Sequence, residues 1–448
     1  MKKFFIFIMA LLLSQQYLNA QNITTTYSLQ GILGDKQTQK IMVRPSNPKE
    51  QVILSRRGED SSYFYLIDSN RTTAQCVKIT SNFIVNDFDL FGDTIIFCGK
   101  RIYNGVDLAF IGVATFQSLF SSTPSWIPIV DNQVTFLERV LLYRDGTALC
   151  AACYAHGNPV IYRYTGSFTN ISNFVYDLGI INYPTVTDTV LITDFVETKS
   201  SIVYVGMLNH VETSVNLYKL NKNSSFGTPI MKKIVELPNS CGNGGVITQL
   251  NKDTIITALS KWDNVMETNI YIIDINNPTN VSKQTIQGYE EKSFPIDIVY
   301  NSAKKEILYL QHSALNQFHT ERRDALYRLE AFPSGNYQAD VVYNGNAPHV
   351  IPTAVFRYNS IDLISKKMVV VCGRDFNSGE VSFVEQMIDR MPHVNNCINY
   401  TIEPIQHSIT NTIIQSQTLM APQPLTCSTY PTQTGNYSII NITKDCQE

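Results

Sequence analysis

A short aromatic motif returns seven times along this chain at near-constant spacing, and no other feature limits the fold so tightly. An apolar or small residue, an aromatic, any residue and then usually an apolar one recur around Tyr65, Phe110, Tyr162, Tyr218, Tyr271, Tyr327 and Phe383. The intervals between these aromatics are 45, 52, 56, 53, 56 and 56 residues, with a mean of 53. A dense apolar run begins 13 to 20 residues before each of them, as in V-I-L at 52–54, T-I-I-F at 94–97 and M-V-V-V at 368–371. Turn signals such as Gly92-Asp93, Asp145-Gly146, Lys252-Asp253 and Lys366-Lys367 stand just ahead of most runs. A further apolar stretch precedes the turn, and a weaker one follows the aromatic.

Four short strands per unit, in seven units, describe the blades of a β-propeller. A blade is a small twisted antiparallel sheet that cannot bury both faces by itself. When blades stack radially, their middle strands are covered on both sides and read as continuous apolar runs instead of alternating ones. The dense runs have that character. The expectation is therefore an all-β, seven-bladed β-propeller of four-stranded antiparallel blades over residues 21–404. Tandem β-sandwiches would also supply short strands and turns, but they do not explain a constant interval. Apolar spacing over Leu315–Leu329 and Val381–Met391 has a helical look, yet both segments overlap the repeat and read as strands with a long loop. Either Asn399–Glu403 or the N-terminal run Ile23–Ser28 can supply the last outer strand. Residues 405–448 are rich in Ser, Thr, Gln and Pro and are expected to form a tail or small β-hairpin extension.

The N-terminus reads as a secretory signal peptide over residues 1–20: Lys2 and Lys3, the apolar run Phe4–Leu13, and the small residue Ala20 before Gln21. Ten apolar residues are too few to span a bilayer, no Cys lies at the cut site, and no later stretch is long and apolar enough for a transmembrane helix. The expected location is secreted or periplasmic. From Gln21 onward, 33 basic residues face 38 acidic ones without a basic tract, so no nucleic-acid partner is expected. Among the nine cysteines, Cys427 and Cys446 flank the last hairpin-like stretch and are the best candidates for a bridge. Cys150 and Cys153 spell C-x-x-C but lie in the strand-like run T-A-L-C-A-A-C-Y, where residues three apart point to opposite faces. They read as buried thiols.

In this architecture, over roughly residues 38–404, the chain resembles the secreted β-propeller proteins of Gram-negative bacteria. It carries none of the subfamily motifs that bring an activity with them. The W-D dipeptide occurs once, at Trp262-Asp263, the double glycine once, at Gly244-Gly245, and the sialidase Asp-box is missing. The resemblance transfers no catalytic residue and implies no cofactor.

In propellers, the loops from the second to the third strand of each blade gather at one end of the central channel, which is the usual ligand face. Here those loops place Arg57, Arg101, Tyr103, His156, His210, Trp262, His312 and Arg374 at that face. Clustered cations focus a field on anionic groups, and Tyr103 and Trp262 offer stacking surfaces. The expected role is a non-enzymatic binding or scaffold propeller that holds an anionic glycan, a peptide or a cell-envelope protein there. The competing reading is a polysaccharide hydrolase or lyase using carboxylates on first strands, with Asp87, Asp89 and Asp297 as candidates. The same residues are equally suited to hydrogen bonding at strand ends. His312, His319 and Glu321 match no standard metal-ligand spacing, so no metal is expected. G-x-S-x-G, H-E-x-x-H and the phosphate-cradling loop are all absent.

Overall fold

The computed structural model describes residues 24–29, 36–57, 61–131, 135–146, 148–155, 158–165, 175–176, 190–199, 201–208, 215–222, 231–237, 240–263, 265–277, 281–287, 292–314, 321–331, 340–348, 356–364, 368–375, 381–387, 409–411, 417–418, 428–429 and 433–447. The protein is all-β, built from several antiparallel sheets, and the described residues include one short helix, α1 (Phe116–Leu119). After β1 (Thr24–Leu29), the first four-stranded unit is β2 (Lys36–Val43), β3 (Gln51–Arg57), β4 (Ser61–Ile67) and β5 (Thr73–Lys78). The next is β6 (Phe83–Phe91), β7 (Thr94–Tyr103), β8 (Val106–Thr115) and β9 (Ser125–Asp131). Then come β10 (Arg139–Leu142), β11 (Ala148–Ala155), β12 (Asn158–Thr165) and β13 (Val175–Tyr176), followed by β14 (Val190–Glu197), β15 (Ser201–Leu208), β16 (Val215–Asn221) and β17 (Met231–Leu237). The pattern continues through β18 (Ser240–Gln249), β19 (Thr254–Asp263), β20 (Val265–Asp274) and β21 (Val281–Gln287), and through β22 (Lys292–Asn301), β23 (Glu306–Ala314), β24 (Glu321–Glu330) and β25 (Asp340–Pro348). Last come β26 (Phe356–Ile364), β27 (Met368–Asp375) and β28 (Val381–Met387).

Within each unit the strands pair in chain order, each with the next. The last unit takes its fourth strand from the other end of the chain, because β1 pairs with β28 and sets Tyr27 opposite Phe383. Of the two candidates for this position, the N-terminal run is therefore the one found there, while residues 399–403 lie outside the described residues. The segments with a helical look contain the strands β24 and β28. Cys150 and Cys153 lie on one strand, β11, as read.

Middle strands are buried along continuous runs because sheets cover both of their faces. Val52, Ile53 and Leu54 on β3 and Ile95, Ile96, Phe97 and Cys98 on β7 are fully enclosed. The repeated aromatics Tyr65, Phe110, Tyr271 and Tyr327 are buried as well. Between the first and second units, Phe64, Phe83, Phe97, Phe110 and Trp126 form an aromatic core. Phe83 and Trp126 meet edge to face at 4.8 Å, the arrangement that aromatic quadrupoles favour. First strands of consecutive units lie side by side in the order β2, β6, β10, β14, β18, β22, β26, and β26 also lies against β2.

The C-terminal segment adds strands to outer edges of these units. β29 (Ile409–Asn411) pairs with β21, and β30 (Gln417–Thr418) pairs with β17. β31 (Ser428–Thr429) and β32 (Gln433–Thr434) both pair with β9. β33 (Asn436–Gln447) pairs with β5 on one side and β1 on the other, which joins the first and last units into one nine-stranded sheet. The side chain of Cys446 and the whole of Cys427 lie outside what is described.

Candidate functional site

Several first strands carry charged side chains turned inward, and a strand irregularity precedes them in five of these strands. Register shifts fall between Thr38 and Lys40, Val85 and Asp87, Ile192 and Asp194, Pro295 and Asp297, and Tyr358 and Ser360. An extra residue in one strand locally re-aims the side chain that follows. The second unit accommodates this at Gly99, opposite Val85, where an added Cβ would sit 1.8 Å from the Ile84 carbonyl oxygen.

The carboxylates so placed bind the backbone of the next unit. Val140 N–H donates to Asp87 Oδ2 at 3.0 Å, and Leu142 N–H donates to Asp89 Oδ2 at 2.8 Å. Ile247 N–H reaches Asp194 Oδ2 at 3.0 Å, and Ile361 N–H reaches Asp297 Oδ2 at 2.9 Å. Val43 N–H donates to Asp362 Oδ2 at 2.7 Å, so the last unit grips the first by the same device. The other oxygens are engaged too. Asp87 Oδ1 accepts from Lys40 Nζ at 2.9 Å, and Asp89, Asp194, Asp297 and Asp362 each accept the N–H of the residue that follows them.

Burial governs the titration of these groups. It pushes Asp194 and Asp297 up to about 6 against the pull of the N–H donors on each, and it raises Asp362 in the same direction. Burial also opposes the charge of Lys40, but Asp87 and Asp89 outweigh it and hold the ammonium above its ordinary value. A carboxyl titrating near 6 suits general-acid chemistry. In Asp194 and Asp297, however, both oxygens are spent on backbone donors, and this binding accounts for their placement without any substrate.

Asp87, Asp89 and Asp297 therefore sit on first strands as read, and they serve as hydrogen-bonding groups. Lys40, Asp194 and Asp362 escaped the reading of the sequence. A signal existed in the acid followed by an apolar residue in N-D-F, T-D-F, I-D-I and I-D-L, which begin at Asn86, Thr193, Ile296 and Ile361.

The described ligand-face candidates fall at or near the ends of second strands, opposite the ends that carry the first turn of each unit. Arg57, Trp262 and Arg374 lie at or next to the last residues of β3, β19 and β27. His312 is within β23, where it pairs with Asp324 of β24. His156, His210 and His319 lie outside the described residues. The most complete description is of the β7–β8 hairpin. Its two turn residues, Asn104 and Gly105, have φ of 50° and 78°, the left-handed pair that a tight hairpin turn requires. At its tip Tyr103 is 51% exposed, with Ile102 and Val106 exposed beside it. The Arg101 guanidinium lies over the Tyr103 ring at 4.7 Å and over the buried Phe83 ring at 5.4 Å. Among the described residues no helix is long and apolar enough to cross a membrane.

No protein-family model matches the sequence, and no curated protein sequence does. Among solved structures, the chain is similar to YCF48 from Cyanidioschyzon merolae, with a TM-score of 0.45 and 10% identity over 82% of this chain and 100% of that one. It is similar to a mutant NanB sialidase from Streptococcus pneumoniae, with a TM-score of 0.39 and 6% identity over 82% of this chain and 95% of that one. A post-proline cleaving enzyme from Rickettsia typhi is similar at a TM-score of 0.35 and 9% identity, over 76% of this chain and 49% of that one. At these scores the similarities carry no weight for fold or activity.

Proposed function

We propose that the chain is an exported, seven-bladed β-propeller that binds a partner and does not cleave one. The seven first strands in sequence, the contact of β26 with β2, and β1 as the fourth strand of the last unit support a ring of seven. Export rests on the residues of the leader, Lys2, Lys3, Phe4–Leu13 and Ala20.

The observation that carries the binding reading is the β7–β8 tip. It presents an exposed tyrosine stacked on an arginine, with apolar neighbours, on a tight two-residue turn. Aromatic and arginine side chains on a rigid support are the usual anchors of protein and glycan interfaces. In the proposed ring this tip stands on the same face as Arg57, Trp262, His312 and Arg374, where an anionic glycan, a peptide or a cell-envelope protein would be held. The engagement of Asp87, Asp89 and Asp297 with backbone donors favours binding over glycan cleavage.

Thermal unfolding of residues 21–448 against a panel of acidic and neutral glycans and peptides tests this reading. A ligand at 100 times its Kd adds about 2.7 kcal/mol, and the shift should disappear in Arg101→Glu/Tyr103→Ala. Turnover of a glycan that is abolished by Asp87→Asn or Asp89→Asn in folded protein would overturn it in favour of a hydrolase or lyase.

A further inference from the structure

At the opposite ends of the first strands, three consecutive units enclose a cleft of about 490 Å³. That volume lies within the range of small-molecule sites. Its floor includes Leu141 and Val196, and its walls are the turns that follow β10, β14 and β18. Four cations line it, Arg144, Lys199, Lys222 and Lys252, against two carboxylates, Asp145 and Glu197.

The two carboxylates are already committed. Lys222, with its side chain only 9% exposed, pairs with Glu197 and lies 3.8 Å from Asp145, over the ring of Tyr143. The second oxygen of Glu197 accepts the Arg144 N–H at 2.6 Å. Arg144 donates to the Leu90 carbonyl at 3.0 Å and pairs with Asp89 at 3.6 Å while its side chain remains 55% exposed. The ammonium groups of Lys199 and Lys252 are exposed and have no side-chain partner among the described residues. Their turns are tied together, because Lys199 N–H donates to the Lys252 carbonyl at 2.9 Å.

A comparable cation on the first unit is treated differently. Arg44, at the turn after β2, is neutralised by Glu50 at 2.6 Å and by Asp93 at 2.8 Å. Two lysines without a side-chain partner among the described residues, on turns tied to each other beside a concave surface, concentrate positive potential where a small anion can enter. Lysines act as compact point charges, which suits oxyanions of any geometry.

We infer that this cleft is a second binding site, on the face opposite the β7–β8 tip, for a small multiply charged oxyanion. The chemistry is that of phosphate, sulfate or carboxylate groups, two or more to a molecule. It is independent of what the tip binds.

Isothermal titration of residues 21–448 with inorganic pyrophosphate, sulfate and citrate at low ionic strength tests the inference, with glucose as the neutral control. At least one anion should bind, added salt should weaken it, and Lys199→Glu/Lys252→Glu should weaken it by about tenfold or more. Both lysines are exposed, so the double variant should keep the parent's thermal midpoint. Arg101→Glu/Arg374→Glu should bind the anion as the parent does. Absence of binding by all three anions would overturn the inference. So would equal binding by the lysine variant, or a loss seen only with the arginine variant.

Discussion

An aspartate after a strand irregularity does the joining in this molecule, and its surroundings determine what it does to stability. Asp87 neutralises Lys40 and caps the Val140 N–H from a position that is 3% exposed. Asp87→Ala would strand a part-buried ammonium and an unmet backbone donor. Breaking such a pair costs about 3 kcal/mol or more, so the denaturant midpoint should fall well below the parent's; a change within ±0.5 kcal/mol would contradict this role. Asp194 and Asp297 give a pH dependence of defined sign. Unfolded, each titrates near 3.8, and folded near 6, so the folded state holds more protons between those values. Stability therefore falls as pH rises through that window. Asp68 and Asp93, held below 3.8 by hydrogen bonds, act only at lower pH. The thermal midpoint should rise when the pH drops from 7 to 5, and it should rise less in Asp194→Asn/Asp297→Asn. An equal rise in both proteins would place the titrating groups elsewhere. Part of this network was legible in the sequence, since Asp87, Asp89 and Asp297 stand out in apolar strands. Their partners were not, because the contacts span 47, 53 and 64 residues and backbone N–H groups leave no mark in a sequence.

Strands were the most readable elements, since a middle strand covered on both faces must be written as an apolar run. Runs at 52–54 and 94–97 became β3 and β7 for that reason. Glycine at such a strand can be read only with the fold in hand. Gly99 meets a backbone oxygen, which cannot swing aside as a side chain would, so Gly99→Ala should lower the thermal midpoint sharply. A neutral result would contradict the close approach at the β6 irregularity. The C-terminal strands were the least legible, because β29 to β32 are two or three residues long. Ser, Thr, Gln and Pro in such short pieces give no period. β33 is longer and places Ile440 inside and Ile439 outside. Removing residues 436–448 exposes the edges of β5 and β1, and unpaired edges invite association. The truncated protein should melt earlier and form larger species in size-exclusion chromatography. A monomer with the parent's stability would show that β33 contributes little.

On the scale of the whole molecule, the ends of the chain meet. Residues 24–29 complete the last unit, and β33 lies between them and the first unit. This arrangement ties the first and last units together through both ends of the described chain, and in the proposed ring the hairpin tip and the lysine cleft stand on opposite faces. The most direct test of the ring is a disulfide across the closing pair, Ser28→Cys with Ser382→Cys, which face each other in register. Peptide mapping of the oxidised protein, residues 21–448, should recover a cross-link between segments that are far apart in the sequence. The protein should remain monomeric and unfold at a higher temperature than its reduced form. Failure to form that link in folded monomer, or a link found only between molecules, would contradict closure of the ring by the N-terminal strand.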